Sequence, residues 1–598
     1  MLSRQKNYKS NSPKVNQFLK KIIESWKSRL LKLLYTVIVS LSVLPFLSKD
    51  VLEVKKRISN RLPALDDYYY QRIFDADANI LTHGNFYVDS EEFHYRSTTP
   101  LSIGESIQKL IFKLLRSNIL STYFFLTLVY LIIWIVLLTK LVDSTGSYYQ
   151  KSIVAVIFII LFMGNSRVLN NEYPFARIIS PQFTMILWLI GMYIIKTIYL
   201  EKANPKKFNL YVFLYSIVLI IASFSYLYSF LSLIGSGMIL ALFLLFEKKY
   251  IFSIYLFTSI LIFSLPFMII NWTKNKEDRF IDATERMGLV HTRFPGSIIT
   301  ILLCSAIIIF IVLQSYLNKK RSKIDETKKT MMIMSLGVLL ASQSQLITKM
   351  EIQFYHFNIF AQICFMIVLI GSLNNLVSKK FISTSRTFRI IACTLAISIF
   401  AVFSIYRLVV PLAQDYKYGS SNYFNNDQLN SNDKLIIDEP IYQYTFPIYS
   451  KAKVLYQADI TAYGFTNFEL FDRAYVSGGC PSKFSVNLKS ELLVYRFEGI
   501  KQKYNSIIRY LDLLGLENYF SNYREKLLIS LDKKQNEIEN EFTTYILSQS
   551  GKDCLQKAKD FGINLIIFDK DSNWNAILNR EKIKIEDYGF YGLMNARI

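Results

Sequence analysis

Charge is almost missing from the long apolar runs of this sequence, and no internal repeat is evident. Proteins that move solutes across membranes usually carry ionisable groups near mid-span and often show repeated halves, so both absences count against that class. No glycine-rich phosphate loop and no Ser-His-Asp spacing stands out, which removes two common nucleotide-binding and acyl-transfer signatures. The five cysteines among 598 residues follow no metal-ligand spacing. Cys304, Cys364 and Cys393 lie in apolar runs, where a thiol is usually a small apolar filler. Cys480 and Cys554 lie in the polar C-terminal region and pair only if that region faces an oxidising compartment.

What is present is apolar residue in quantity: 52% of the chain is hydrophobic and 15% aromatic. These residues are blocked into runs long enough to cross the ~30 Å of a bilayer's hydrocarbon. The expectation is a polytopic α-helical membrane protein of about eleven spans. They fall near 30–47, 119–139, 152–164, 180–199, 210–229, 231–246, 251–271, 297–317, 331–347, 356–376 and 388–411. A formal charge of +23 raises the question of nucleic acid, but lysine and arginine gather in the N-terminal tail and in alternate short loops. That is the pattern of cations retained on the cytoplasmic side, and no nucleic-acid module is visible.

With residues 1–29 read as a basic cytoplasmic tail, the loops 140–151, 200–208, 247–250, 318–330 and 377–387 are cytoplasmic and hold 16 Lys and Arg. The opposite short loops, 165–179, 272–296 and 348–355, hold 8. The loop 48–118, the loop 272–296 and residues 412–598 then share the extracytoplasmic side, where any chemistry is expected.

The first outer loop contains "RLPALDDYYYQRI", with Asp66 and Asp67 adjacent. Asp66 suits a helix N-cap, stapled by Leu65 and Tyr70, and Asp67 suits the positive end of the helix dipole. Neither role excludes catalysis. Further on, Ile107, Leu110, Ile111, Leu114 and Leu115 recur at helical spacing opposite Lys109, Lys113 and Arg116, which predicts an amphipathic helix on the membrane surface.

This layout resembles the GT-C superfamily of membrane glycosyltransferases, which use polyprenyl-phosphate-linked sugars. The shared features are a cytoplasmic N-terminus, a long first external loop with acidic residues after span one, an interfacial helix before span two, about a dozen spans and an external C-terminal domain. The resemblance implies that Asp66 or Asp67 is a catalytic base or a metal-associated carboxylate. It implies a polyprenyl-phosphate-sugar donor and a glycan, lipid or protein acceptor, in the plasma (inner) membrane. A divalent metal ion stays open as cofactor. A carboxylate is needed because the acceptor hydroxyl loses a proton as it attacks the anomeric carbon, and cations are needed at the departing phosphate.

The other outer loops supply candidates for binding. "NSRVLNNEYPFARIISPQF" contributes Glu172 and Arg177, set against capping and snorkelling as plainer roles. The long loop 272–296 contributes Arg286, His291 and Arg293, within reach of a lipid phosphate if it is more than a solvated connector. The turn around 345–356 contributes Lys349 and His356, although a histidine at a span's start is usually satisfied by a neighbour.

Residues 412–598 read as an extracytoplasmic α/β domain. "DKLIID" and "AKVLYQ" suggest strands, a helix ends near Gly562 before a strand at 564–568, and a charged helix spans roughly 521–548. Gly235 and Gly237, inside a span, suggest close helix packing. Two further classes remain beside the glycosyltransferase: a transporter or flippase of a lipid-linked or soluble substrate, and a non-catalytic membrane scaffold.

Overall fold

Leucine, isoleucine and phenylalanine fill the apolar runs, and without water their backbones satisfy themselves as helices. The computed structural model describes residues 12–47, 103–115, 119–142, 147–159, 183–274, 278, 281–282, 297–317, 326–348, 354–381, 433–438, 452–456, 466–481, 501, 517–549, 552–587 and 593–598. Three helices are long and apolar enough to cross a membrane, within Pro205–Ser223, Leu227–Phe246 and Tyr250–Ile269. Shorter apolar helices lie at Phe125–Leu141, Thr184–Leu200, Ile299–Leu313 and Asn358–Ser372. This is the build of a helical membrane protein.

The described residues fall into two compact units. One draws on 1–49, 124–176 and 366–413, the other on 50–123, 177–365 and 414–598. In the first, α1 (Ser12–Leu47) begins well inside the stretch expected to be a tail. Its lysines have straight aliphatic stems and cost a helix little, so the helix continues through them. α2 (Ile103–Leu115) belongs to the second unit and α3 (Ile119–Leu141) chiefly to the first. α4 (Tyr148–Phe158) starts at a capping box formed by Ser147 and Gln150. It meets α1 through the Tyr35 and Tyr149 rings, 4.8 Å apart and edge-on, and through Thr36 and Tyr148, whose hydroxyls are 2.8 Å apart.

In the second unit the bundle is formed by α5 (Thr184–Leu200), α6 (Pro205–Ser223), α7 (Leu227–Phe246), α8 (Tyr250–Lys274), α9 (Ile298–Leu317) and α10 (Glu326–Ser342). A short α11 (Gln345–Thr348) and a 3-10 turn (Phe354–Phe357) precede α12 (Asn358–Phe381). α7 is central, packed against α5, α6, α8 and α10. The runs expected at 210–229 and 231–246 are distinct helices, separated by a turn at 224–226. Large apolar side chains such as Ile251, Ile254 and Leu261 face outward from α8, as lipid contact requires and water would penalise.

The closest approach in the bundle is between α7 and α10. A Cβ added at Gly235 would overlap the carbonyl of Gly337, and one added at Gly337 would overlap the backbone of Ser236. With no hydrophobic drive between helices in lipid, such backbone proximity is what gains van der Waals contact. The structure therefore agrees with the packing read from the Gly235–Gly237 pair, and it adds Gly337 as the partner.

The remaining residues of this unit build an α/β portion. Strands β1 (Lys434–Ile437) and β2 (Lys453–Val454) are followed by α13 (Asn467–Ser477), α14 (Glu517–Gln549) and α15 (Cys554–Asp560). Then come β3 (Leu565–Asp569), α16 (Asn573–Arg580), β4 (Glu586–Asp587) and β5 (Leu593–Arg597). The sheet order is β2-β1-β3-β5-β4, parallel from β2 to β3 and antiparallel beyond. Leu565 to Phe568 are all buried, as the inner strand of a covered parallel sheet demands. Asp433 accepts from Arg597 Nη1 at 3.2 Å and from Asn564 at 3.1 Å, tying β5 and β3 to the start of β1. Cys480 and Cys554 form a disulfide between the end of α13 and the start of α15, with Cα atoms 5.9 Å apart.

Replacing Gly337 by alanine is expected to cost more than the ~1–3 kcal/mol of ordinary overpacking, because backbone must move. At Gly191 the obstacle is the end of the Leu233 side chain, which can rotate away, so alanine there should cost less. Thermal unfolding of both variants in detergent checks the order; equal losses would refute the backbone crossing as the tighter constraint.

Candidate functional site

One end of the bundle collects polar side chains around helix termini. Tyr226, at the N-cap of α7, places its hydroxyl 3.2 Å from Nδ1 of His356. The His356 ring also lies 4.5 Å from that of Tyr228. Next to it Asn358, the first residue of α12, accepts hydrogen bonds from Ser297 and, at 2.9 Å, from Thr300 in the first turn of α9. Ser229 of α7 donates to the carbonyl of Thr184 at the start of α5, 3.3 Å away. The amphipathic helix α2 arrives at the same end, where the amide of Ile103 donates to the carbonyl of Phe224 at 3.2 Å. Its Leu110 and Leu114 are exposed. Trp188, wholly buried one turn into α5, stacks edge-on against Phe360, and its indole N–H has no partner among the described residues.

The segment leading out of α8 meets the α/β portion in an open groove of about 890 Å³. Asp278 and Asp282 line one side, with Asn467 and Phe468 of α13 and Glu541 and Tyr545 of α14 opposite. Thr466 caps α13, and Asp282 extends that cap by accepting from the Asn467 amide at 2.7 Å. The Asn467 side chain donates to Glu541 at 3.1 Å. Behind the groove, Asp472 accepts from the Tyr545 hydroxyl and pairs with Lys557 at 2.7 Å. Burial raises the Tyr545 hydroxyl above its ordinary range, and the bond to the Asp472 carboxylate raises it further. The proton therefore stays on Tyr545. Carboxylates that accept, amides that do both and an exposed Phe468 ring suit a polyhydroxylated ring ligand.

Of the residues singled out in the sequence, His356 is the one that falls in a described segment, and it has the neighbour expected of a histidine at a span's start. Asp66, Asp67, Glu172, Arg177, Arg286, His291, Arg293 and Lys349 lie outside the described residues. Asp278 and Asp282 lie in the loop 272–296 but are not among the residues singled out in the sequence, because their partners are far away in the chain. On the helix read at 521–548, Glu537, Asn540, Glu541 and Tyr545 also line the groove. Among the described residues, no three His, Cys, Asp or Glu gather to hold a metal ion.

The opposite end of the bundle has different electrostatics. Glu247, following α7, accepts from Tyr199 at 2.6 Å and pairs with Lys202 at 2.8 Å and Lys329 at 3.0 Å. This joins the ends of α5 and α7 to the start of α10, the grouping of loops that the lysine and arginine counts imply. Burial pushes the Glu247 carboxyl up from its ordinary 4.5, but the bonds from Lys202, Tyr199 and Lys329 outweigh that and bring it to about 2.

No protein-family model matches the chain, and no curated protein resembles it closely enough to count as a match.

A carboxyl held below its ordinary value contributes stability above that value and loses it as pH falls from 4.5 toward 2. Wild-type protein should therefore lose thermal stability over that interval more steeply than Glu247→Gln, after the variant's lower baseline is subtracted. Parallel curves for the two would show that Glu247 does not carry the effect.

Proposed function

We propose that this protein is a glycosyltransferase similar to the GT-C superfamily, transferring sugar from a polyprenyl-phosphate carrier to an acceptor on the extracytoplasmic face of the plasma (inner) membrane. The reading includes about eleven spans, a cytoplasmic N-terminus and an extracytoplasmic α/β domain. The observation that carries it is the groove that Asp278 and Asp282 form with the α/β portion, whose lining suits a sugar. The Cys480–Cys554 disulfide supports an oxidising compartment for that portion, and α2 supports a surface helix before the next span.

In this mechanism Asp66 or Asp67 removes the proton of an acceptor hydroxyl. The acceptor oxygen bonds to the anomeric carbon as the carrier phosphate leaves with the bonding pair. Arg177, Arg286, His291, Arg293 and Lys349 are the candidates to meet the phosphate's growing charge, Glu172 is a candidate second carboxylate, and His356 is a candidate to bind substrate. A divalent ion would add a further positive centre at the phosphate. The groove residues then orient the acceptor.

Cells lacking the gene should lose one sugar from their surface glycans and accumulate its lipid-linked precursor. Wild type should restore it and the Asp66→Asn, Asp67→Asn double variant should not, at equal membrane levels. Equal restoration by the variant removes the carboxylates from the chemistry. A second measurement addresses the groove: Phe468→Ala and Glu541→Gln should each raise the acceptor KM about tenfold, a loss of ~1.4 kcal/mol, with kcat little changed. An unaltered KM would place the acceptor elsewhere.

A further inference from the structure

The turns at the Glu247 end carry more positive charge than their own carboxylates neutralise. Glu247 engages Lys202 and Lys329, and Glu201 engages Lys207 at 2.9 Å. Lys206, Lys248 and Lys249 are exposed and form no ion pair among the described residues. Packing sets the starts of α6 and α8 side by side: the Phe208 and Phe252 rings, in their first turns, have centroids 4.5 Å apart. Neither first turn contains an acidic residue. Lys206 lies in the first turn of α6, at the positive end of that helix dipole, where no carboxylate offsets it.

Immediately beside this charge the helices present apolar surface. Phe246 and Ile251, flanking the α7–α8 turn, are 79% and 81% exposed, and Phe213 and Ile254 continue the surface along α6 and α8. A cationic rim over an exposed apolar wall complements a molecule with an anionic head and hydrocarbon tails.

We propose that this end of the α6–α8 hairpin region binds the headgroup of an anionic phospholipid. Lys206, Lys248 and Lys249 contact its phosphate, and Phe213, Phe246 and Ile251 cover its acyl chains. The lipid's negative charge complements the lysines that no carboxylate neutralises. This site is independent of sugar transfer, and it requires only that these helices lie in a membrane.

Purified full-length protein in a neutral detergent is offered phosphatidylglycerol or phosphatidylcholine with identical acyl chains, and retained lipid is counted by native mass spectrometry. Wild type should prefer phosphatidylglycerol at least about tenfold, and the preference should fall as salt rises. The triple variant Lys206→Gln, Lys248→Gln, Lys249→Gln should lose most of it, while the corresponding arginine triple variant keeps it. Water-soluble glycerol phosphate should not displace the lipid. Equal retention of both lipids by wild type, or full preference in a glutamine variant with an unchanged unfolding temperature, overturns the proposal. Displacement by glycerol phosphate also overturns it, by making the ligand a free phosphate. Should the glutamine variant fail to fold, the wild type decides alone, and a preference that ignores salt rejects the site.

Discussion

The crossing of α7 and α10 at Gly235, Ser236 and Gly337 sets the geometry of the rest of the bundle. In hydrocarbon the driving force between helices is contact itself, and contact between two backbones is possible only where side chains are missing. Once α7 and α10 meet there, α7 is the axis on which α5, α6 and α8 settle, and α9 packs on α10. Hydrogen bonds then lock the neighbours in register: the Tyr215 hydroxyl donates to the Leu233 carbonyl and the Ser253 hydroxyl to that of Ala241. A buried serine or tyrosine in a span would otherwise be a liability; these two are satisfied by a carbonyl of the adjacent helix.

Both ends of that axis are polar, but with opposite character. At the Tyr226 end, neutral and aromatic groups interlock: tyrosines with a histidine, and an asparagine with two hydroxyls. At the Glu247 end, one carboxylate holds two ammonium groups and a phenol. The first arrangement leaves room for directional hydrogen bonding to a ligand. The second is an electrostatic clasp that fixes three helix ends, and its surplus of lysine is directed outward.

Much of this architecture was readable in the sequence because it is local. The helix read at 521–548 runs from 517 to 549, and the strand read at 564–568 runs from 565 to 569, with Gly562 at a positive φ before it. A paired glycine in a span is a local signal; a lone one such as Gly337 is not, so its role became visible only with its partner beside it. The groove was illegible for the same reason. Asp282 and Asn467 are 185 residues apart, and no periodicity connects a cap residue to a carboxylate at that distance. The cysteine pair shows the intermediate case, in which a shared place in the polar C-terminal region offered the two thiols but only folding joins them.

The placement of β3 between β1 and β5 has a consequence for biosynthesis. β1 is the first strand of the sheet to leave the ribosome, yet its inner neighbour begins at Leu565, and Asp433 at its head is clasped by Arg597. Until those late residues exist, β1 shows an apolar strand edge whose natural partner has not been made. Contacts this remote close slowly, and an open edge invites wrong pairing in the interval. The β1–β3–β5 core of the sheet therefore assembles only after residues 565–597 have been synthesised, and a chaperone acting on this protein would find its window between residue 438 and residue 565.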